Sequence, residues 1–325
     1  MQVRSLEMTS EQGTSAAHWR GAKGNGMGRS AAVVARARRG SDSRWAGLLL
    51  LPGAAWLLIF AILPLGFTFV MSFWTSTIFG TTATWTIANY LKFVEEPVYV
   101  SVLLTTIRIA IVTTILSLLI SYPIAWFLAT RRGMARAIIV IAVFMPFWTS
   151  YVIRTFLWLP ILGRNGVINH VLLWLGIIDQ PLNDLVYNES TIYLGLVYVY
   201  TLFMVLPIYL ALDRLDPKLI EAAADLGATP FRIFRRIVLP LSWPGVLSGS
   251  IMVFLLSCGA FVTPSLLGGP SATMFGNLIS SQFSHSNNWA FGAALSIILI
   301  AVVLAFLVIA GRRIGLQRVF VGGGY

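Results

Sequence analysis

The residues between Leu215 and Pro240 are richly charged in a chain that otherwise avoids charge. Asp216, Lys218, Glu221, Asp225, Arg232, Arg235 and Arg236 all fall in this run. No apolar stretch carries a clustered His/Asp/Glu set, and no nucleophile–base constellation is visible. The chemistry on offer here is therefore that of a recognition surface. Asp216 is a good N-cap, and Pro217 fits the first helical position. Ala222, Ala223 and Ala224 are strong helix formers, and Gly227 suits the left-handed residue that ends a helix. Thr229 and Pro230 repeat the cap-and-proline start for a second short helix, whose basic end suits its dipole. Leu239 and Pro240 follow. The spacing predicts a helix–turn–helix knuckle. Its small residues Ala222 and Ala223, with Gly227 at the bend, permit close approach of another backbone. Phe231 and Phe234 offer apolar knobs. Such a knuckle either docks into a groove on a partner or lies on a membrane as an amphipathic connector, and local physics alone leaves both open.

A second set consists of ionisable and aromatic residues inside apolar stretches. Trp126, Phe147, Trp148, Tyr151, Phe156, Trp158, Tyr198 and Tyr200 could attract a cation through their ring faces, at ~0.5–2 kcal/mol per contact. The same stretches have no Asp or Glu in their interiors. An acid-free path with aromatic walls would let a cation pass without trapping it. Trp126, Trp148, Tyr151, Arg154 and Tyr198 form the candidate path set, with lipid contact or helix packing as the alternative for each ring. Arg108 and Arg154 lie a few turns from the ends of their stretches. An intramembrane charge is a functional hypothesis by default. Each either lines a path, which would favour an anionic or zwitterionic solute, or snorkels to the interface. The acids Glu95, Glu96, Asp179, Asp184 and Glu189 fall between stretches, where they either meet a docking protein, gather cations or are simply solvated.

The elements that must position these residues follow from composition. Of 325 residues, 57% are hydrophobic and 11% charged, against about 25% charged in a soluble domain. So few charges cannot build a water-facing surface, and the natural solvent for most of the chain is lipid. Apolar segments run roughly over 46–74, 100–130, 135–160, 191–212, 241–264 and 290–311. Each reaches the ~20 residues a spanning helix needs. The expected fold is an all-α membrane protein of about six transmembrane helices.

The net charge of +11 sits beside the apolar spans and in the first stretch, which indicates membrane topology and not a nucleic-acid partner. Arg131, Arg132 and Arg136 separate segments two and three. Arg214, Lys218, Arg232, Arg235 and Arg236 separate four and five. Arg312, Arg313 and Arg318 follow six. The alternate loops are poor in Lys and Arg, so both termini are expected on the cytoplasmic side. Residues 1–44 read as a basic, disordered cytoplasmic tail, 45–312 as the transmembrane domain with its charged loop at 213–240, and 313–325 as a second cytoplasmic tail. The Gly24–Ser30 stretch lacks the Gly-Lys-Ser/Thr ending of a phosphate loop. The single Cys258 excludes an intrachain disulfide and a cysteine-rich metal site. No metal or cofactor is expected. A short amphipathic helix is expected at 166–175, with His170 as a surface residue.

Glu221-Ala222-Ala223, three residues, Gly227, nine residues, then Ile237-Val238-Leu239-Pro240 resembles the EAA loop of ABC importer permeases. Further stretches, Ser121–Leu128, Met145–Ser150, Ile153-Arg154, Leu172–Gly176 and Gly195–Tyr198, resemble the permeases of spermidine/putrescine importers over roughly 45–312. The resemblance implies a type I ABC importer permease fold in the bacterial inner membrane. It implies as partners a second permease subunit, two copies of an ATPase subunit and an extracytoplasmic solute-binding protein. It makes Glu221, Ala222, Ala223, Gly227, Phe231, Ile237, Leu239 and Pro240 residues that couple to the ATPase, none of them catalytic. The chain would not be an enzyme, since ATP hydrolysis would belong to that partner. Its relatives include permeases for other small solutes, so an opine, an amino-acid-like compound or an aminophosphonate is the alternative to a polyamine. An ion-driven secondary transporter would need carboxylates within the spans.

Overall fold

The structure is a computed structural model and describes residues 51–77, 80–131, 133–269 and 272–314. The expected tail at 1–44, its glycine stretch, the first residues of the first span and most of the tail from 313 lie outside the described residues. The chain divides into two units, Met1–Phe67 and Thr68–Tyr325.

Helix α1 (Leu51–Met71) has no charged residue and is long enough to span. Its ladder widens into a π turn at Leu58–Ile62, ending just ahead of Pro64. Proline brings no N–H, so an α-ladder loses a donor there. A locally re-registered turn absorbs the defect, as lipid offers no replacement.

In the second unit, strands β1 (Thr75–Thr77) and β2 (Gly80–Thr82) pair antiparallel with Thr75 opposite Thr82. Helix α2 (Ala88–Glu95) follows, and the Asn89 amide donates to the carbonyls of Ser72 and Trp74, both at 2.9 Å. Helix α3 (Pro97–Thr130) has 34 residues and is about 50 Å long at ~1.5 Å per residue, more than the hydrocarbon layer needs.

The third expected span, 135–160, is not one rod. Helix α4 (Met134–Phe144) tightens into a 3-10 turn at Met145–Trp148 and then breaks. Helices α5 (Tyr151–Phe156), α6 (Trp158–Leu162) and α7 (Val167–Trp174) continue beyond it. Arg136–Trp148 and Tyr151–Trp174 meet at 95°. Pro146 removes a donor, and Thr149 and Ser150 adopt extended ψ values of 151° and 138°. The short helix expected at 166–175 is α7.

Helix α8 (Glu189–Asp213) is capped by Asn188, whose side chain accepts from the Thr191 N–H at 2.9 Å. Helix α9 (Pro217–Asp225) follows, and then α10 (Pro230–Ile233). A π turn at Phe234–Val238 leads into α11 (Leu239–Cys258), so that Pro230–Cys258 runs as one apolar span. The second short helix was expected to end at its basic residues. Instead it continues into the membrane, and the π turn again ends just ahead of a proline, Pro240. Helix α12 (Phe275–Ser284) and helix α13 (Trp289–Ile314) complete the described chain. Among the described residues five helices are long and apolar enough to cross a membrane, or six when the bent pair is taken as one span.

Helices α3, α8 and α11 form the core. Ile192, Leu196, Met204 and Ile208 of α8 are fully buried. Helix α11 reaches α8 through two glycines. A Cβ at Gly245 would lie 2.5 Å from the Pro207 carbonyl oxygen and 2.6 Å from the Ala211 Cβ, and one at Gly249 would lie 2.8 Å from the Met204 sulfur. Small residues at such crossings let helix backbones pack closely in lipid. Polar pins fix the register. Ser121 Oγ donates to the Thr201 carbonyl at 3.1 Å, Tyr200 OH to the Leu256 carbonyl at 3.2 Å, and the Phe275 N–H to Thr106 Oγ1 at 2.7 Å.

Gly245→Val should force α8 and α11 apart and cost about 1–3 kcal/mol by overpacking. A lower melting temperature in detergent checks this. Unchanged melting would mean that the helices do not cross at this notch.

Candidate functional site

The knuckle between α8 and α11 is built as its residue types dictate. The Asp216 carboxylate accepts from the Lys218 N–H at 3.0 Å, with Pro217 at the first helical position. Helix α9 ends at Gly227, which takes φ +76°. The Ala228 N–H bonds to the Ala223 carbonyl at 3.0 Å, and the Gly227 N–H to the Ala224 carbonyl at 2.9 Å. These two bonds form a Schellman motif, which needs a left-handed residue that glycine supplies without Cβ strain. Thr229 stands at the next N-cap, where its carbonyl accepts from the Ile233 N–H at 2.9 Å. Its side chain makes no capping bond, unlike the expectation for this position.

The knuckle has two faces. Leu215, Ile220, Ala223, Ala228, Phe234 and Ile237 pack against the core, and Ile233 and Val238 are buried. Glu221, Ala222, Gly227 and Pro240 are exposed. Phe231 is 72% exposed and Leu226 88%. Of the expected coupling residues, Glu221, Ala222, Gly227, Phe231 and Pro240 therefore present a surface. Ala223, Ile237 and Leu239 are partly buried. Leu226 was missed by sequence reasoning. Its signal is an apolar side chain next to the helix-ending glycine, where nothing on its own helix can cover it.

The knuckle is joined to the bundle at two points. The Phe234 ring meets Tyr122 at 5.7 Å and Trp126 at 6.3 Å, both edge-on, and Tyr122 OH lies 2.9 Å from Ser242 Oγ. Trp126, expected on a path, is thus a brace between α3 and the root of the knuckle. Arg136 on α4 pairs with Asp213 at the end of α8, at 3.2 Å, and lies over the Tyr209 ring at 5.1 Å. Arg136 was legible only as a topology charge, because its partner is far away in sequence.

The other expected path residues do not share one wall. Trp148 is 94% exposed at the break after α4. Tyr151 OH lies 2.7 Å from Thr263 Oγ1. Arg154 and Tyr198 do meet, in a cavity of about 740 Å³ whose lining also includes Phe147, Trp158, Tyr193 and Thr201. Arg154 is 8% exposed, enclosed by protein and not spread over the surface. Its guanidinium carbon lies 4.6 Å from the Phe147 ring centre. Arg108 behaves differently. It pairs with Glu189 at 2.6 Å, with side chains 59% and 34% exposed, and Tyr193 OH donates to the same carboxylate. Glu189 is thereby neutralised at the start of α8. Asn169, also missed, is fully buried and ties α7 down, donating to the Gly163 and Leu182 carbonyls and accepting from the Leu182 N–H at 2.8 Å. His170 is exposed, as expected.

Residues 45–321 match the family described as binding-protein-dependent transport system inner membrane component. The chain belongs to that family. It is therefore a multi-pass transport permease subunit of the inner membrane. It is 36% identical over 276 residues to the spermidine/putrescine transport system permease protein PotB of Salmonella typhimurium, covering 84% of this chain and 94% of that protein. It is 37% identical over 261 residues to PotB of Escherichia coli, covering 79% and 93%. The inner membrane ABC transporter permease protein YdcU of Escherichia coli is 36% identical over 246 residues, covering 71% and 76%. Among solved structures, a chain of a bacterial ABC transporter that imports the acidic polysaccharide alginate superposes with a TM-score of 0.60 at 20% identity. That match covers 86% of this permease and 98% of that chain. The methionine transporter MetNI in inward-facing form gives a TM-score of 0.51 at 19% identity, covering 66% and 93%. The permease thus has the fold of ABC importer permeases, the type I fold expected from its sequence.

A double-mutant cycle of Arg108→Met and Glu189→Gln should give a coupling of about 0.2–1 kcal/mol, as for a partly exposed pair. Additive melting shifts would show that the pair contributes nothing in the folded permease.

Proposed function

We propose that this permease forms part of the translocation path of a polyamine ABC importer and is coupled to a separate ATPase through its knuckle. The observation that carries the reading is the 36–37% identity to PotB proteins along nearly their whole length. The exposed face of Glu221, Ala222, Leu226, Gly227 and Phe231 supports the coupling role. It combines small residues, which admit a close backbone, with two apolar knobs that water disfavours. Of the remaining coupling candidates, Ala223, Ile237, Leu239 and Pro240 set how that face is held and how it enters the membrane. In this reading two ATPase copies, one on this knuckle and one on that of a second permease, drive the change of access. A solute-binding protein delivers the polyamine on the opposite side, and both termini lie with the ATPases. The basic residues Arg131, Arg136, Arg232, Arg235 and Arg236 alternate along the sequence with loops poor in Lys and Arg, as positive-inside topology requires.

Away from Arg154, the spans suit a passing cation. Glu189 is neutralised by Arg108 at one end, and the span interiors between ends offer rings and hydroxyls without carboxylates. Weak cation–π contacts can guide a polycation without holding it. A different small solute is the second reading. It is favoured by the comparable identity to YdcU, whose name specifies no solute.

The test is co-purification with the neighbouring gene products, followed by ATPase assays in lipid with the binding protein present. Spermidine and putrescine should stimulate hydrolysis. An active complex that ignores both polyamines would move the assignment to the second reading. Glu221→Lys should abolish ATPase docking or uncouple it while leaving the melting of the spans unchanged. Normal docking and transport in that variant would remove the knuckle from the mechanism.

A further inference from the structure

Arg154 raises a question that solute transport leaves unanswered. The residue is 8% exposed, and Nε has no hydrogen-bond partner among the described residues. Both ion pairs found among the described residues, Arg108–Glu189 and Arg136–Asp213, lie elsewhere. The Phe147 face 4.6 Å away supports the cation from one side, but a ring supplies no acceptor lone pairs to a guanidinium that needs five. A buried, unpaired charge is costly. The group therefore calls for an anion, and the cavity it lines is where one can enter.

The cavity's shape and chemistry narrow the choice. At about 740 Å³ it falls within the ~300–1,000 Å³ of small-ligand pockets. Its wall, drawn from α3, α4 and the turn after it, α5, α6 and α8, is aliphatic and aromatic apart from Arg154, Ser190, Thr201 and the hydroxyls of Tyr193 and Tyr198. A compact anion would leave most of that wall unused. A polyamine would be repelled by the guanidinium. An amphiphile with one anionic group and a long apolar body matches both halves. In a chain whose solvent is lipid, the amphiphile in constant supply is a phospholipid. We propose that this cavity seats a membrane phospholipid, its phosphodiester on Arg154 and an acyl chain along the apolar wall between α3, α4 and α8. Arginine presents a planar fork that bonds two phosphate oxygens at once. The lipid would wedge the bent third segment against α8 and complete a bundle that is otherwise hollow there. This proposal rests on the membrane-permease assignment and is independent of the identity of the solute.

The experiment uses the full-length chain, purified from membranes with the subunits that accompany it and washed with detergent, then weighed by native mass spectrometry. The wild type should retain phospholipid. Arg154→Gln should lower retention about tenfold, the loss of one charge-assisted interaction, and Arg154→Lys should retain an intermediate amount. On wild-type protein alone, phosphatidylglycerol should displace the retained lipid at least about tenfold better than diacylglycerol, which has the chains without the phosphate. That arm decides the matter if Arg154→Gln does not fold. Equal retention by folded Arg154→Gln, equal displacement by the two lipids, or a lipid-free wild-type complex in which a partner's carboxylate takes the guanidinium would each overturn the proposal. Polyamine-stimulated ATPase is read from the same preparation. Loss of that response with lipid retained would count against the solute alone.

Discussion

The close approach of α11 to α8 is the constraint on which the rest of the permease depends. With hydrogen in place of a side chain at Gly245 and Gly249, the backbone of one helix reaches the carbonyls and Cα atoms of the other. Lipid tails are as apolar as leucine, so no hydrophobic drive holds two such helices together. Dispersion at short range and a few polar pins must do it. Tyr200 of α8 reaches the Leu256 carbonyl of α11 at that distance, and α3 is pinned to the pair by Tyr122 to Ser242 and by Ser121 to the Thr201 carbonyl. Both roots of the knuckle, the end of α8 and the start of α11, are fixed by the same contact.

Proline sets the shape of the spans. In lipid each lost backbone bond must be repaired within the protein. Pro123, Pro207 and Pro244 sit inside helices that run on, while two repairs are seen at three other prolines. Ahead of Pro64 and Pro240 the helix widens into a π turn and runs on. At Pro146 it tightens, breaks at Thr149 and Ser150, and turns by 95°. The first repair gives continuous rods, and at Pro240 it carries the knuckle's second helix directly into α11. The knuckle is therefore joined to a span without an intervening loop. The second repair brings α5 and α6 across the bundle and creates the cavity that holds Arg154 and Tyr198.

Charge is placed by the same economy. Arg108 and Arg136 each find one carboxylate, on opposite ends of α8. Helix α8 is thereby clamped to α3 at one end and to α4 at the other, while its middle is buried in apolar contact. The knuckle keeps the apolar side chains of Leu226 and Phe231 on the side away from the core, the reverse of what a surface facing only water would favour.

The sequence by itself determined what periodicity, composition and local capping control. Lipid as solvent follows from the scarcity of charge, and the span count follows from apolar run length. The knuckle was legible down to its Asp216 cap and Gly227 stop, because both are bonds within a few residues of themselves. Tertiary structure alone decided the partners of groups distant in the chain. Arg108 with Glu189, Arg136 with Asp213 and Phe234 with Trp126 have no local signature. Trp148 and Tyr198 look alike as aromatic residues in apolar runs, yet one is exposed at a break and the other lines a cavity. Residue type fixes what a side chain can do, but only the packing of α3, α4 and α8 fixes what it meets. The break in the third span lies between these cases. Pro146 was visible, but whether a proline widens, tightens or breaks a helix depends on which neighbours stand ready to take up the freed backbone groups.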